Sequence, residues 1–267
     1  MEHLRAVLDE KFARYNCKDF IKNDPISFPH SFTRREDIEI SALLASVIAW
    51  GNRKMILASG RKMFYDIMHS APYEYIMSGE WESLDDALNI HRTFFAGDFK
   101  YICRGLKNIY AKHGTMEALF CGCTVWEGIE NLRGEMAMAN DGATTKHLSN
   151  PTPQKGKPAS ACKRIHMMLR WLCRKDGVVD LGIWDSVSPS GLMIPLDVHV
   201  ARTARLLGII SPCAPTPSAQ RMRDPRLYGS VIPSEITIRG ASPLSSAIRR
   251  ISSTDEYSFS DAMATMP

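Results

Sequence analysis

The segment from Ile38 to Ile48, IEISALLASVI, constrains the fold more than any other part of the chain. It is apolar on nearly every side of a helical wheel rather than along one stripe. A helix of this kind lies in the centre of a helical lobe instead of on its surface. We therefore expect a buried helix that begins at Asp37 and ends at the turn Trp50-Gly51-Asn52.

Other segments carry apolar residues at the three- and four-residue spacing of amphipathic helices. They cover residues 4–20, 55–68, 99–113, 126–139 and 161–175. No series of alternating strands and no internal repeat is present. The sequence predicts an all-α fold, and 267 residues suffice for two compact helical lobes around a cleft.

Two changes in composition divide the chain. The stretch SNPTPQKGKPAS, residues 149–160, is rich in Pro, Lys and Ser and predicts a loop. From residue 211 onward the chain is dense in Ser, Pro and Arg and contains no lysine. We expect a helical domain over 1–210, with a lobe from about 37–140 and a hairpin and active-site region at 149–210. Residues 211–267 are expected to be a low-complexity tail, either disordered or read out of frame.

Charge and cysteine content limit the functional classes. The net charge of +4 is mildly basic, which permits a polyanionic partner without requiring one. The charged N-terminal segment has no apolar leader, and no stretch reaches the roughly 20 apolar residues of a membrane span. Seven cysteines, an odd number, are typical of reduced cytoplasmic thiols. Their spacing favours neither a zinc site nor another metal site, and no cofactor is expected.

Two residues are candidates for chemistry. Lys163 stands near the start of a basic amphipathic helix, where a partly desolvated lysine beside Arg164 is a candidate amine nucleophile. Its alternative role is a solvated surface lysine. Asp197, in IPLDVHVAR, follows an apolar stretch and opens a helix. Asp197 is either a functional carboxylate or simply the helix N-cap.

The segment IPLDVHVARTARLLG resembles the VDxHVxR segment of the helix-hairpin-helix (HhH-GPD) DNA glycosylase superfamily. GDFKYICRGLKNIYAKHG is similar to the helix that precedes the hairpin in endonuclease III-like enzymes. The ordered set FPHSFTRREDIEI, AWGNRKMI, HRTF, SACKR, MLRWL and IPLDVHV resembles one bacterial family of unknown function that is regarded as related to these glycosylases. The resemblance covers about residues 1–210.

This resemblance implies base-excision repair of double-stranded DNA with a damaged base. Separately from the resemblance, a monomer is expected. Asp197 falls on the catalytic aspartate of the superfamily, and Lys163 falls where lyase-competent members place a Schiff-base lysine. The separation, 197 − 163 = 34 residues, is similar to that of the archaeal 8-oxoguanine glycosylases. QKGKPASACK departs from the usual LPGVGxK hairpin, and the four-cysteine motif of an iron–sulfur cluster is absent.

The same resemblance implies contacts to a flipped-out damaged nucleotide and its flanking phosphates. The candidate wedge that fills the gap in the base stack is Trp50, Asn52 or Arg53, and the alternative role of Trp50 is a core residue. The remaining DNA-binding candidates are Lys155, Lys157, Arg164, His199 and Arg202. The alternative role of the lysines and arginines among them is solvated surface.

Two other functions remain open from the sequence. One is a helical DNA-binding module that keeps the scaffold without the chemistry. The other is an inactive family member whose out-of-frame tail leaves apolar faces uncovered.

Overall fold

The computed structural model describes residues 2–153, 159–193 and 198–207, with side chains in all of these except 2–4, 198 and 199. Within these ranges the chain forms ten α-helices. Their bounds are α1 Glu2–Tyr15, α2 Lys18–Lys22, α3 Ser27–His30, α4 Arg35–Ile48, α5 Arg53–Arg61, α6 Pro72–Ser78, α7 Ala96–His113, α8 Val125–Met138, α9 Lys163–Cys173 and α10 Val198–Leu206.

The prediction of an all-α fold is confirmed. The single sheet of the described ranges is an antiparallel hairpin of β1 Asn89–His91 and β2 Phe94–Phe95. Short 3-10 segments and one π-helical turn, Lys62–Ile67, complete the secondary structure. That π-helical turn directly continues α5, where the sequence predicts one uninterrupted helix.

Helix α4 occupies the centre, as its composition predicts. Every residue from Ile38 to Ile48 is buried, and α4 packs against α3, α6 and α9. Two polar side chains of this helix, Ser41 and Ser46, donate hydrogen bonds to carbonyls one turn earlier. A hydroxyl bonded to its own helix can be buried without an unsatisfied donor.

The core is one contiguous cluster of buried apolar side chains that extends from Ile26 to Val187. Helix α7 packs directly on α8 at one side of α4, and α9 packs on α4 itself. Apart from Ala159 and the buried residues between 200 and 207, the described buried apolar residues join into this one cluster, so the structure does not by itself separate the two predicted lobes. The two-lobed arrangement stays a prediction.

Several predicted residues lie outside the described ranges: Lys155, Lys157, Asp197 and the tail 211–267. The side chain of His199 is also outside them, although its backbone belongs to α10. Among the helices of the described ranges, none combines the length and the apolar character needed to cross a bilayer.

Candidate functional site

Lys163 is the first residue of α9, so its predicted place near a helix start is confirmed. The chain enters this helix through a sharp turn, because Cys162 has a positive φ of 50°. Ser160 holds the turn by accepting a hydrogen bond from the backbone N–H of Cys162 at 3.1 Å. The Lys163 side chain is half-buried and makes no hydrogen bond or ion pair with any residue that the structure describes.

Arg164 joins the start of α9 to the end of α4. Its guanidinium donates to the carbonyl of Val47, in the last turn of α4, and to the carbonyl of His147 at 3.2 Å. The last carbonyls of a helix have no partner within the helix, so this arginine satisfies one of them. Burial lowers the pKa of Arg164. Its observed contacts are structural and point into the protein, whereas its predicted phosphate contact stays a prediction.

His166, about one turn after Lys163, joins α9 to the other side of the site. The backbone N–H of Met193 donates to His166 Nδ1 at 3.3 Å. The imidazole also packs edge-to-face on Trp126, with ring centroids 5.0 Å apart. The first turn of α9 therefore lies between the end of α4 on one side and the start of α8 on the other.

A groove of about 360 Å³ opens beside His166. We call it the α8 groove, and it is lined by residues 120, 123–126, 186–188, 190, 191 and 193. The rings of Phe120 and Trp126 supply apolar surface, and the hydroxyls of Ser188 and Ser190 supply polar groups. This volume lies within the range of small-molecule sites. None of the lining residues belongs to α9, and His166 is linked to the groove through its contacts with Trp126 and Met193.

The start of α8 borders this groove and is well defined. Thr124 accepts a hydrogen bond from the N–H of Glu127, whose carboxylate accepts one from the N–H of Thr124 at 2.7 Å. This reciprocal capping box fixes the first turn of the helix. Glu127 is fully exposed, and its hydrogen bonds from Thr124 lower its pKa.

The turn between α4 and α5 contains three of the predicted DNA-binding residues. Trp50 is half-buried, and its carbonyl accepts a hydrogen bond from His91 Nε2 at 3.0 Å. Asn52 is the N-cap of α5, where its side chain accepts the N–H of Lys54 at 2.9 Å. Arg53 is the first residue of α5 and lies near Asp24. Burial raises the pKa of Asp24, whereas the positive charge of Arg53 acts to lower it.

The structure therefore groups Lys163, Arg164 and the Trp50–Arg53 turn at one end of the α4–α9 pair. Arg202 is exposed on α10. Sequence reasoning missed His166 as the link to the groove and Arg92 as a neighbour of Trp50. Arg92 belongs to the segment HRTF, and His166 lies between SACKR and MLRWL. The positions of these two residues in the sequence do not indicate their contacts with Trp50 and with the groove-lining residues. Among the described residues, no group of three or more His, Cys, Asp or Glu side chains could hold a metal ion.

The burial of His147 makes the stability of the folded chain depend on pH. It is buried, its Nε2 donates to the carbonyl of Thr93 at 3.1 Å, and its own carbonyl accepts from Arg164. Burial above all lowers the pKa of His147 below 6.5, with Asp98 and the Thr93 carbonyl acting in the opposite direction. Below pH 6.5 the unfolded chain binds a proton that the folded chain disfavours, so stability falls as the pH decreases.

Replacing His147 with glutamine is expected to flatten this pH dependence, because the amide can still donate to Thr93 but does not titrate. Urea unfolding of both proteins between about pH 7 and pH 5 measures the effect, since burial disfavours the protonated form of His147 in the native protein more than in the unfolded chain. Equal slopes of unfolding free energy against pH in the two proteins would contradict the assignment.

The fold and the site together define an all-α protein in which a half-buried lysine opens α9 and has no side-chain partner among the described residues. The chain belongs to the family described as Protein of unknown function (DUF2400), whose model matches residues 24–222. The match ends inside the segment that the sequence separates as a tail, and that boundary stays a prediction. No curated protein and no solved structure matches the chain.

Proposed function

We propose that the protein is a base-excision DNA glycosylase with AP-lyase activity that acts on flipped-out damaged bases in double-stranded DNA. The observation that carries the proposal is the position of Lys163. Its amine has no described partner, and Lys163 opens the helix whose first turn contacts the end of α4 through Arg164 and two groove-lining residues through His166. A nucleophile of this class needs an amine that no carboxylate already occupies.

The proposed chemistry begins with the neutral amine of Lys163. Its nitrogen forms a bond to C1′ of the deoxyribose while the N-glycosidic bond breaks and its electron pair leaves with the base, which takes up a proton. Opening of the sugar ring gives an imine between Lys163 and C1′. Loss of a C2′ proton then expels the 3′ phosphate and nicks the strand.

A carboxylate near C1′ would stabilise the positive charge that develops on the sugar. We propose Asp197 for this role. Asp197 lies outside the residues that the structure describes, and this part of the proposal is supported by the resemblance of IPLDVHVAR to the segment that contains the superfamily's aspartate. The α8 groove, with aromatic and hydroxyl groups, has a suitable size for an extruded base. The proposed phosphate contacts are those of the predicted basic residues.

Borohydride trapping on a duplex with one abasic site tests the proposal. Borohydride reduces the imine and leaves a stable protein–DNA adduct. We expect an adduct with the wild-type chain and none above background with Lys163→Ala, because the substitution removes the attacking amine. Lys175→Ala is the matched control, since Lys175 is an exposed lysine just beyond the other end of α9 and is paired with Asp185.

An adduct that persists in Lys163→Ala would contradict the assignment of the nucleophile. Duplex binding without any adduct, where a known lyase gives one, would instead favour the non-catalytic DNA-binding module. Oligonucleotides with 8-oxoguanine, uracil, thymine glycol or alkylated bases would then identify the base released by an active enzyme.

A further inference from the structure

The tip of the β1–β2 hairpin is held in one position against the α4–α5 turn. His91 is buried and bonded through both ring nitrogens, to the Trp50 carbonyl at 3.0 Å and to the Ser59 hydroxyl at 2.9 Å. The next residue, Arg92, has a positive φ of 52°, and Asn89 Nδ2 donates to its carbonyl at 2.6 Å. The buried histidine and the tight turn fix where the Arg92 side chain begins.

The Arg92 side chain lies over Trp50. Its guanidinium carbon is 4.6 Å from the centroid of the indole ring. Gly51 makes this approach possible, because a Cβ at that position would overlap the Arg92 Nη1 atom. Gly51 also has a φ of +101°, which side chains rarely adopt. Trp50 and Gly51 together form the surface on which the exposed Arg92 side chain packs.

The charge of this arginine is not neutralised within the described part of the chain. No carboxylate there lies within ion-pair distance of Arg92, and its side chain is exposed. Arg104 offers a contrast in the same protein. Its guanidinium lies 5.6 Å from the Trp81 ring centroid but is bound by Glu82 through two hydrogen bonds of 2.7 Å. Of these two stacked arginines, only Arg92 has no carboxylate partner among the described residues, so its N–H donors can bind an anion.

The hairpin tip is linked to the start of α9 through His147. The carbonyl of Thr93 accepts a hydrogen bond from His147, and the carbonyl of His147 accepts one from Arg164, the neighbour of Lys163. Exposed Lys54, in the first turn of α5, adds positive charge beside Trp50. We infer that a polyanion bound at the start of α9 extends toward Arg92.

We propose that Arg92 binds a backbone phosphate of duplex DNA and that Trp50 serves as its platform rather than as a wedge in the base stack. The inference rests on the proposed function, because it takes DNA as the polyanion. A guanidinium presents several N–H donors in a planar fork that matches phosphate oxygens, and a ring beneath it limits its freedom before binding.

Salt-dependent binding of a fluorescent duplex tests the inference. One lost phosphate contact reduces the slope of log K against log salt concentration by about 0.9, which corresponds to roughly eightfold weaker binding at 0.1 M salt. We expect this loss with Arg92→Ala for duplexes of any sequence. Arg92→Lys should retain the wild-type slope but bind more weakly, because an ammonium lacks the planar fork.

Arg104→Ala is the matched control, since it removes an arginine stacked on tryptophan whose charge Glu82 already neutralises. The inference is overturned if Arg92→Ala binds like Arg104→Ala, or if the wild-type chain does not bind duplex DNA. Duplex binding with the expected slopes but without a borohydride adduct would support Arg92 and contradict only the lyase activity. Circular dichroism of each variant checks that the fold is retained.

Discussion

Replacing Glu39 with alanine is expected to lower the free energy of unfolding by about 4 kcal/mol or more. Glu39 is fully buried in α4, and its carboxylate accepts five hydrogen bonds from four parts of the chain. The donors are Arg35 Nε at 3.2 Å, Tyr110 Oη at 3.0 Å, Thr115 Oγ1 at 2.8 Å, the Met116 N–H at 2.9 Å and Trp184 Nε1 at 2.9 Å. Alanine would leave buried donors without an acceptor.

Two further variants separate the loss of hydrogen bonds from the loss of a charge. Glu39→Gln retains one acceptor oxygen but turns an amide toward some of the donors, so we expect an intermediate loss. Glu36→Ala, on the same helix, removes a carboxylate paired with exposed Arg34 at 3.1 Å and should cost less than about 1 kcal/mol. Urea unfolding followed by circular dichroism measures all three. A Glu39→Ala protein as stable as Glu36→Ala would contradict the role of this carboxylate.

Replacing Gly105 with alanine is expected to destabilise the protein by about 2 kcal/mol, within the range of over-packed cores. Gly105 lies in α7 where this helix meets α8. A Cβ at residue 105 would overlap the Met136 sulfur and lie 2.9 Å from the Met136 Cα. The sulfur could move with its flexible side chain, but the Cα belongs to the backbone of α8. The two helices would have to separate.

The chain provides its own control for this prediction in α8. Gly134 is an exposed helical glycine, and a Cβ there would meet nothing within 4 Å. Gly134→Ala should therefore stabilise the protein by up to about 1 kcal/mol, because alanine favours the helix over glycine. The two substitutions make the same chemical change with opposite expected signs. Thermal unfolding measures both, and shifts of the same sign would contradict the packing argument.

The sequence was sufficient to predict the α-helical architecture where the periodic pattern is long. The sequence predicts a central helix because apolar residues lie on nearly every side of α4, and the burial of Ile38 through Ile48 confirms this prediction. The β1–β2 hairpin was not predicted. Its strands contain three and two residues, too few for an alternating pattern to stand out.

The candidate site could be predicted only in part, for a physical reason. Lys163 was placed at a helix start from the loop and the amphipathic pattern around it. Arg164 donates to the backbone carbonyls of Val47 and His147. Because every residue has a backbone carbonyl, the sequence does not indicate which carbonyls accept these hydrogen bonds. The packing of Arg92 on Trp50 likewise depends on a turn that brings together residues far apart in the chain.

The hydrogen bond from Trp184 to Glu39 has a consequence for biosynthesis. These residues are 145 positions apart, so a nascent chain buries the carboxylate in its final environment only after the indole has left the ribosome. His30 is bonded in the same way to the carbonyl of Val179, 149 positions away, at 2.7 Å. An N-terminal fragment that stops before Val179 lacks both partners, so the Glu39 carboxylate and His30 acquire their complete native hydrogen bonds only after this later segment has been synthesised.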